Sequence, residues 1–173
     1  AVGFIAKYDY NGNLYWYRLV EADKNVAIGV MGIDVDENDN VYIGGFLYGI
    51  YHIPGMPYPP PLNIATIIDP VCTPPIDVDP DANLPAIFQD WTNYILKYDG
   101  FGTFIDSREI FPGVNFSREG HQIYDLEYDN DNVYVVGSNM IGSYPSNNLQ
   151  TTNWQYKTGL WDSNIKVQDG MVY

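Results

Sequence analysis

The chain is short of positive charge. Eight lysines and arginines face 22 aspartates and glutamates among 173 residues, giving a formal net charge of −14. Such a surface repels a phosphate backbone, which argues against nucleic acid as a partner. It argues equally against an anionic membrane face. A single cysteine, Cys72, leaves no internal disulfide to form and says little about the redox compartment. No apolar run approaches the roughly 18 residues that a membrane helix needs. The opening Ala1-Val2-Gly3-Phe4 lacks the basic and apolar regions of a signal peptide, so no targeting segment is read within the chain.

Catalytic constellations are equally scarce. The two histidines, His52 and His121, are far apart in sequence, no Gly-x-Ser-x-Gly elbow occurs, and Cys72 has no local partner. His pairs at metal-binding spacing are absent. Acidic pairs abound, but with 22 carboxylates a pair carries no meaning without geometry. The reading is therefore not an enzyme, with no catalytic residue assigned and no cofactor expected beyond a candidate Ca²⁺ site described below.

What the chain does have is apolar and aromatic. Apolar residues make up 46% of it, with 16 Tyr, 7 Phe and 4 Trp, and this suits a pleated, half-buried sheet surface. Sixteen Gly and twelve Pro punctuate the chain too often for long helices.

Two hairpin types alternate along it. The first is Phe4-Ile-Ala-Lys-Tyr-Asp-Tyr-Asn-Gly12, answered ninety residues later by Tyr94-Ile-Leu-Lys-Tyr-Asp-Gly-Phe-Gly102. Each is an apolar strand, Lys-Tyr-Asp, and a turn closing on a glycine suited to positive φ. The following strands are Leu14 to Leu19 and Phe104 to Ile110. The second type begins Ile33-Asp-Val-Asp36, Leu126-Glu-Tyr-Asp129 and Ile165-Lys-Val-Gln168. After a polar turn these return as Val41-Tyr-Ile-Gly-Gly45, Val133-Tyr-Val-Val-Gly137 and Met171-Val-Tyr173. Alternation places apolar side chains on one face and polar ones on the other. A shortened copy of the first hairpin is read at Trp154–Trp161.

About twelve strands follow from this count, and a four-stranded unit repeated radially is a propeller blade. A stacked sandwich fits short strands at this spacing too. The expected fold is all-β: a partial β-propeller of about two to three four-stranded antiparallel blades with one long Pro-rich loop insertion. The boundaries are a half blade at 1–20, a blade at 30–110 with the insertion at 47–91, a blade at 122–163, and a half blade at 164–173.

The pairing of Ile33-Asp-Val-Asp36 and Asn40-Val-Tyr-Ile-Gly-Gly45 with the Phe4–Asp9 strand and Gly12-Asn-Leu-Tyr-Trp16 resembles the bacterial SBBP-type β-propeller repeat. The likeness covers residues 1–46, 92–138 and 151–173. It implies that the Ile-x-Val-Asp strand is innermost in a blade and the Gly-Asn-Leu-x-Trp strand outermost. Asn13, Leu14 and Trp16 match that outer pattern, whereas Thr103, Phe104 and Asp106 depart from it. It also implies secreted or cell-surface proteins, many exported by the type IX route. Strands that begin and end in mid-blade cannot close a ring, so the expected partners are the remaining blades of a longer chain or further chains.

Residues 47–91 interrupt the repeat and include Pro57 and Pro59–Pro61. Loops of this length are often functional or packed against a partner. Tyr48, Tyr51, Tyr58 and Trp91 are the candidate binding residues, able to stack on sugar faces or anchor a protein, against packing of the loop on its own blade. Asp77, Asp79, Asp81 and Asn83 have the alternate spacing that opens a calcium loop. Ala82 stands where an EF-hand has glycine and Phe88 where it has glutamate, so the full motif fails and a plain acidic loop is the rival reading. Asp34, Asp36, Asn38 and Asn40, like Asp125, Glu127, Asp129 and Asp131, are read as turn chemistry and a polar strand face. The sequence thus points to a non-enzymatic scaffold, adhesin or protein-interaction module, with a carbohydrate-binding propeller or a non-catalytic part of a larger secreted enzyme as alternatives.

Overall fold

The structure is a computed structural model that describes residues 2–21, 26–49, 92–110, 122–158 and 164–173. These residues form strands and turns without a helix, so the all-β expectation holds, and none forms a helix long and apolar enough to cross a membrane.

The first sheet pairs β1 (Val2–Tyr8) with β2 (Leu14–Glu21). The second is a four-stranded antiparallel meander of β3 (Val26–Val35), β4 (Val41–Gly49), β5 (Thr92–Tyr98) and β6 (Phe104–Ile110). The third repeats that order with β7 (Ile123–Asp129), β8 (Asn132–Gly137), β9 (Met140–Pro145) and β10 (Trp154–Tyr156). The fourth pairs β11 (Val167–Gln168) with β12 (Met171–Val172).

Period-two alternation splits each interior strand between two cores. On β4, Val41 and Ile43 face a cluster with Ile5, Trp16 and Val20 of the first sheet, while Tyr42 faces the other way. On β5, Tyr94, Leu96 and Tyr98 join the first cluster and Ile95 the second. The second cluster continues into Ile123, Leu126, Val133, Val135, Met140 and Tyr144 of the third sheet. The opposite face of β8, Tyr134 and Val136, packs on Ile165 and Val167. Successive sheets are therefore stacked face to face in chain order. Each side chain buried between them contributes about 1.5–3 kcal/mol of apolar transfer.

Gly32 and Gly44 lie where the third sheet comes closest. A Cβ built on Gly32 would overlap the backbone nitrogen of Leu126, and one on Gly44 would sit 3.2 Å from the Leu126 side chain. The small residues let the β7 backbone approach.

Two corrections to the sequence reading follow. The third strand of the third sheet is Met140–Pro145, not the stretch beginning at Trp154, which supplies the strand after it. Asn139, at φ 56°, closes a tight turn that folds β9 straight back on β8, pairing Gly137 with Met140. β4 also continues to Gly49, with Leu47 paired to Thr92, so the interruption starts later than residue 47.

Candidate interaction surface

Three hairpins share one turn. Asp9, Asp36 and Asp99 each open it, and their carbonyls accept from the N–H of Gly12, Asp39 and Gly102 at 3.0, 3.0 and 2.9 Å. Those three residues have φ of 84°, 68° and 79°, the left-handed conformation that glycine adopts freely and aspartate tolerates. One carboxylate oxygen of each aspartate then accepts two backbone amides. Asp9 takes Asn11 and Asn13 at 2.8 Å, Asp36 takes Asn38 and Asn40 at 2.9 Å, and Asp99 takes Phe101 and Thr103 at 2.9 and 2.7 Å.

Asp36 does more than its two counterparts. Its second oxygen accepts from Asn40 Nδ2 at 2.8 Å, as that of Asp9 does from Asn13 Nδ2 at 2.7 Å, and in addition from the buried Tyr42 hydroxyl at 2.9 Å. Burial opposes ionisation of Asp36, but the Asn40 side chain and backbone, Tyr42 and Asn38 outweigh it and hold the carboxyl below its ordinary value. Burial, then the Asp36 carboxylate, raises the Tyr42 hydroxyl well above its ordinary value. The Tyr42 ring stacks on Tyr128 of the next sheet at 5.6 Å and 12°.

The acidic residues of the edge strands bridge sheets. Asp34 on β3 accepts the Tyr128 N–H of β7 at 2.7 Å. Asp125 on β7 accepts the Ile165 N–H at 3.1 Å, Glu127 the Val167 N–H, and Asp129 the Gly170 N–H at 2.8 Å. Glu127 also holds Lys166 at 2.8 Å. Turn chemistry and a polar strand face describe Asp36 well, but Asp34, Asp125 and Glu127 serve as acceptors for the neighbouring strand. The signal in the sequence is the carboxylate that directly follows Ile33 and Leu126, Asp34 and Glu127, at the same place in two of the three copies, where the third has Lys166 after Ile165.

Basic side chains answer from β1, β2, β5 and β6. Lys7 donates to Asp39 at 2.6 Å and to the Gly100 carbonyl at 3.3 Å, and Arg18 to the Gly102 carbonyl at 2.7 Å. One sheet further on, Lys97 donates to the Ser146 carbonyl at 3.0 Å and Arg108 to the Leu149 carbonyl at 2.6 Å. The Arg108 guanidinium also lies 4.7 Å from the Tyr144 ring.

The sequence-predicted sites fall mostly elsewhere. Tyr48 lies on β4 with its backbone paired to Ala27. Tyr51, Tyr58 and Trp91, together with Asp77, Asp79, Asp81 and Asn83, lie outside the described residues, as do His52, Cys72 and His121. Among the described residues no group of three or more His, Cys, Asp or Glu is gathered to hold a metal ion.

Large apolar side chains are nevertheless presented to solvent. Tyr10 and Phe101 stand out at the tips of the Asp9 and Asp99 turns. Phe4, Tyr8, Leu14 and Tyr15 are exposed on the first sheet, and Met31, Ile33 and Val35 on β3. Where such residues form a contiguous patch they mark a protein-interaction or ligand-binding surface. No protein-family model and no curated protein matches the chain.

Proposed function

We propose that the chain is a segment of a β-propeller of the SBBP repeat type, serving as a non-enzymatic scaffold, adhesin or protein-interaction module at or outside the cell surface. The observation that carries this reading is the stacking of meandering sheets in chain order, each interior sheet buried on both faces. Radial repetition of four-stranded units of this kind is how propellers are built. The bridging carboxylates support the non-enzymatic part, because Asp34, Asp36, Asp125 and Glu127 are committed to backbone amides. The exposed rings of Tyr10 and Phe101 favour a carbohydrate-binding alternative.

The insertion is the proposed presenting element. Its two ends meet where Leu47 pairs with Thr92, so a short Gly-Ser linker from Gly49 to Thr92 can replace residues 50–91. The excised protein is expected to melt within about 2 °C of the full chain while losing partner binding. Unfolding on excision overturns the module reading. Saturable binding on a glycan panel, lost in Tyr10→Ala or Phe101→Ala, or in Tyr51→Ala or Trp91→Ala of the insertion, decides for the carbohydrate alternative. Turnover of any member of an ester, peptide or glycoside panel overturns the non-enzymatic assignment.

A further inference from the structure

Strands β3 and β7, and the run 165–167 that leads into β11, carry the same apolar pair: Ile33 and Val35, Leu126 and Tyr128, Ile165 and Val167. Leu126 is 1% exposed and Ile165 5%, because a hairpin of the preceding sheet covers each of them. β3–β4 covers Leu126 and Tyr128, with Gly44 under Leu126 and Tyr42 stacked on Tyr128. β7–β8 covers Ile165 and Val167, with Val136 and Tyr134 against them. Ile33 is 56% exposed and Val35 45%.

A second observation points to the same place. β5 is paired on both sides, to β4 and β6, and β9 likewise to β8 and β10. β1 matches them residue for residue, Phe4 to Tyr94 and Met140, Tyr8 to Tyr98 and Tyr144. Among the described residues β1 pairs only with β2, which leaves its other edge unpaired, and its face packs beside β3, where a Cβ on Gly3 would meet the Val30 side chain. Open edge and bare apolar strip are both accounted for by one two-stranded occupant.

We infer that the β1 edge and the Ile33–Val35 strip form a docking site for a β-hairpin of this same repeat, joined ahead of β1 in the polypeptide. Its returning strand pairs with β1 as β4 pairs with β5 and β8 with β9. That strand carries a tyrosine over Val35, in the role of Tyr42 and Tyr134, and a small or β-branched residue over Ile33, in the role of Gly44 and Val136. The mode is strand addition, where backbone pairing gives affinity and alternate side chains give selectivity. The β11–β12 hairpin of a second copy is the poorer occupant, because Tyr173 and Val172 supply the tyrosine strand but Lys166 stands where β3 and β7 have Asp34 and Glu127. The inference rests on the repeat reading proposed above and not on what the insertion binds.

The test supplies the hairpin covalently. A copy of residues 122–137 is joined to Val2 through a short Gly-Ser linker, which sets a millimolar effective concentration. The expected result is a melting midpoint raised by roughly 5 °C or more, with new hydrogen-exchange protection in β1 and at Ile33 and Val35. An appended copy bearing Tyr134→Ser retains less of the gain, and a scrambled copy none. Equal gains from the scrambled copy, or no protection in β1 from the native one, overturn the inference. So does concentration-dependent dimerisation of the unfused chain that protects those same amides, which makes a second copy the occupant. Loss or retention of partner binding on excising 50–91 has no bearing on any of these readouts, so the two proposals fail separately.

Discussion

Replacing Asp36 by alanine tests whether one turn residue couples a hairpin to the interface between two sheets. Asp9 and Asp36 make the same backbone contacts, but Asp9 is solvent-facing and Asp36 holds the Tyr42 hydroxyl. In Asp9→Ala the freed amides of Asn11 and Asn13 turn to water, so the cost is that of a lost turn bond, about 0.5–1 kcal/mol. In Asp36→Ala the hydroxyl of a fully buried tyrosine also loses its acceptor. A buried polar group left without its partner costs about 1–3 kcal/mol, and Ser146, which also bonds that hydroxyl, limits the loss. The expected total is about 2–3 kcal/mol, a drop of roughly 5–10 °C in melting midpoint against about 2 °C for Asp9→Ala. The pH dependence has a fixed sign. The folded Asp36 carboxyl titrates below its ordinary 3.8, so its contribution is present above that pH and is lost as pH falls through the lower folded value. Urea unfolding of both variants at pH 7 and at pH 3 is the assay, and the gap between wild type and Asp36→Ala should narrow at the lower pH. Equal costs for the two substitutions at pH 7 refute the coupling.

Three further outcomes follow from the same contacts. Lys166→Met should change stability by less than about 0.5 kcal/mol, because its side chain is 73% exposed, whereas Glu127→Ala should cost about 1–3 kcal/mol by stripping the Val167 N–H of its acceptor; denaturant titration separates the two. Gly32→Ala should destabilise by about 1–3 kcal/mol through overlap with β7, while Gly12→Ala, open on all sides at φ 84°, should cost about 1 kcal/mol, and reversal of that order discards the close-approach argument. Burial raises Tyr98 and Tyr128 to about 12, and Tyr42, Tyr94 and Tyr144 further still. Their contribution is complete below pH 10 and fades as pH rises through those values, so part of the tyrosinate absorbance should appear only with alkaline unfolding, lagging the rest in a stopped-flow pH jump.

Much of the sheet structure is legible in the sequence because alternation and turn chemistry agree. Asp36-Glu-Asn-Asp-Asn40 is flanked by apolar alternation on both sides and folds as that pattern predicts. β9 escaped because Gly142, Ser143 and Pro145 lower strand propensity. Its conformation is set instead by pairing to Val133–Gly137, a tertiary effect that no local window holds. The bridging role of Asp34, Asp125 and Glu127 was hidden for a related reason. Spacing by two shows that they share a face, but what lies opposite that face depends on how sheets stack. Tyr51, Trp91 and the Asp77–Asn83 run rest on sequence alone, since they lie outside the described residues.

The charge imbalance that opened the sequence reading acquires a structural meaning at the sheet edges. β3, β7 and β11 are edge strands, each exposing backbone amides that invite unwanted pairing. Carboxylates on β3 and β7 cap those amides on the following strand and place negative charge where a foreign strand would add. The few cations are committed just as selectively. Lys7, Arg18, Lys97, Arg108 and Lys166, five of the chain's eight, each reach from one sheet to the next. Carboxylates therefore serve both the edge strands and the turns, while Lys7, Arg18, Lys97 and Arg108 reach carbonyls in and after the turns of the next sheet and Lys166 reaches Glu127. Among the described residues, Asp34, Asp125, Glu127 and Asp129 each accept a backbone amide of the next sheet, so their charge is matched to N–H donors rather than to cations alone. On this reasoning these four carboxylates belong first to the stacking of the sheets, and removing any one of them should cost stability at the seam it bridges rather than solubility.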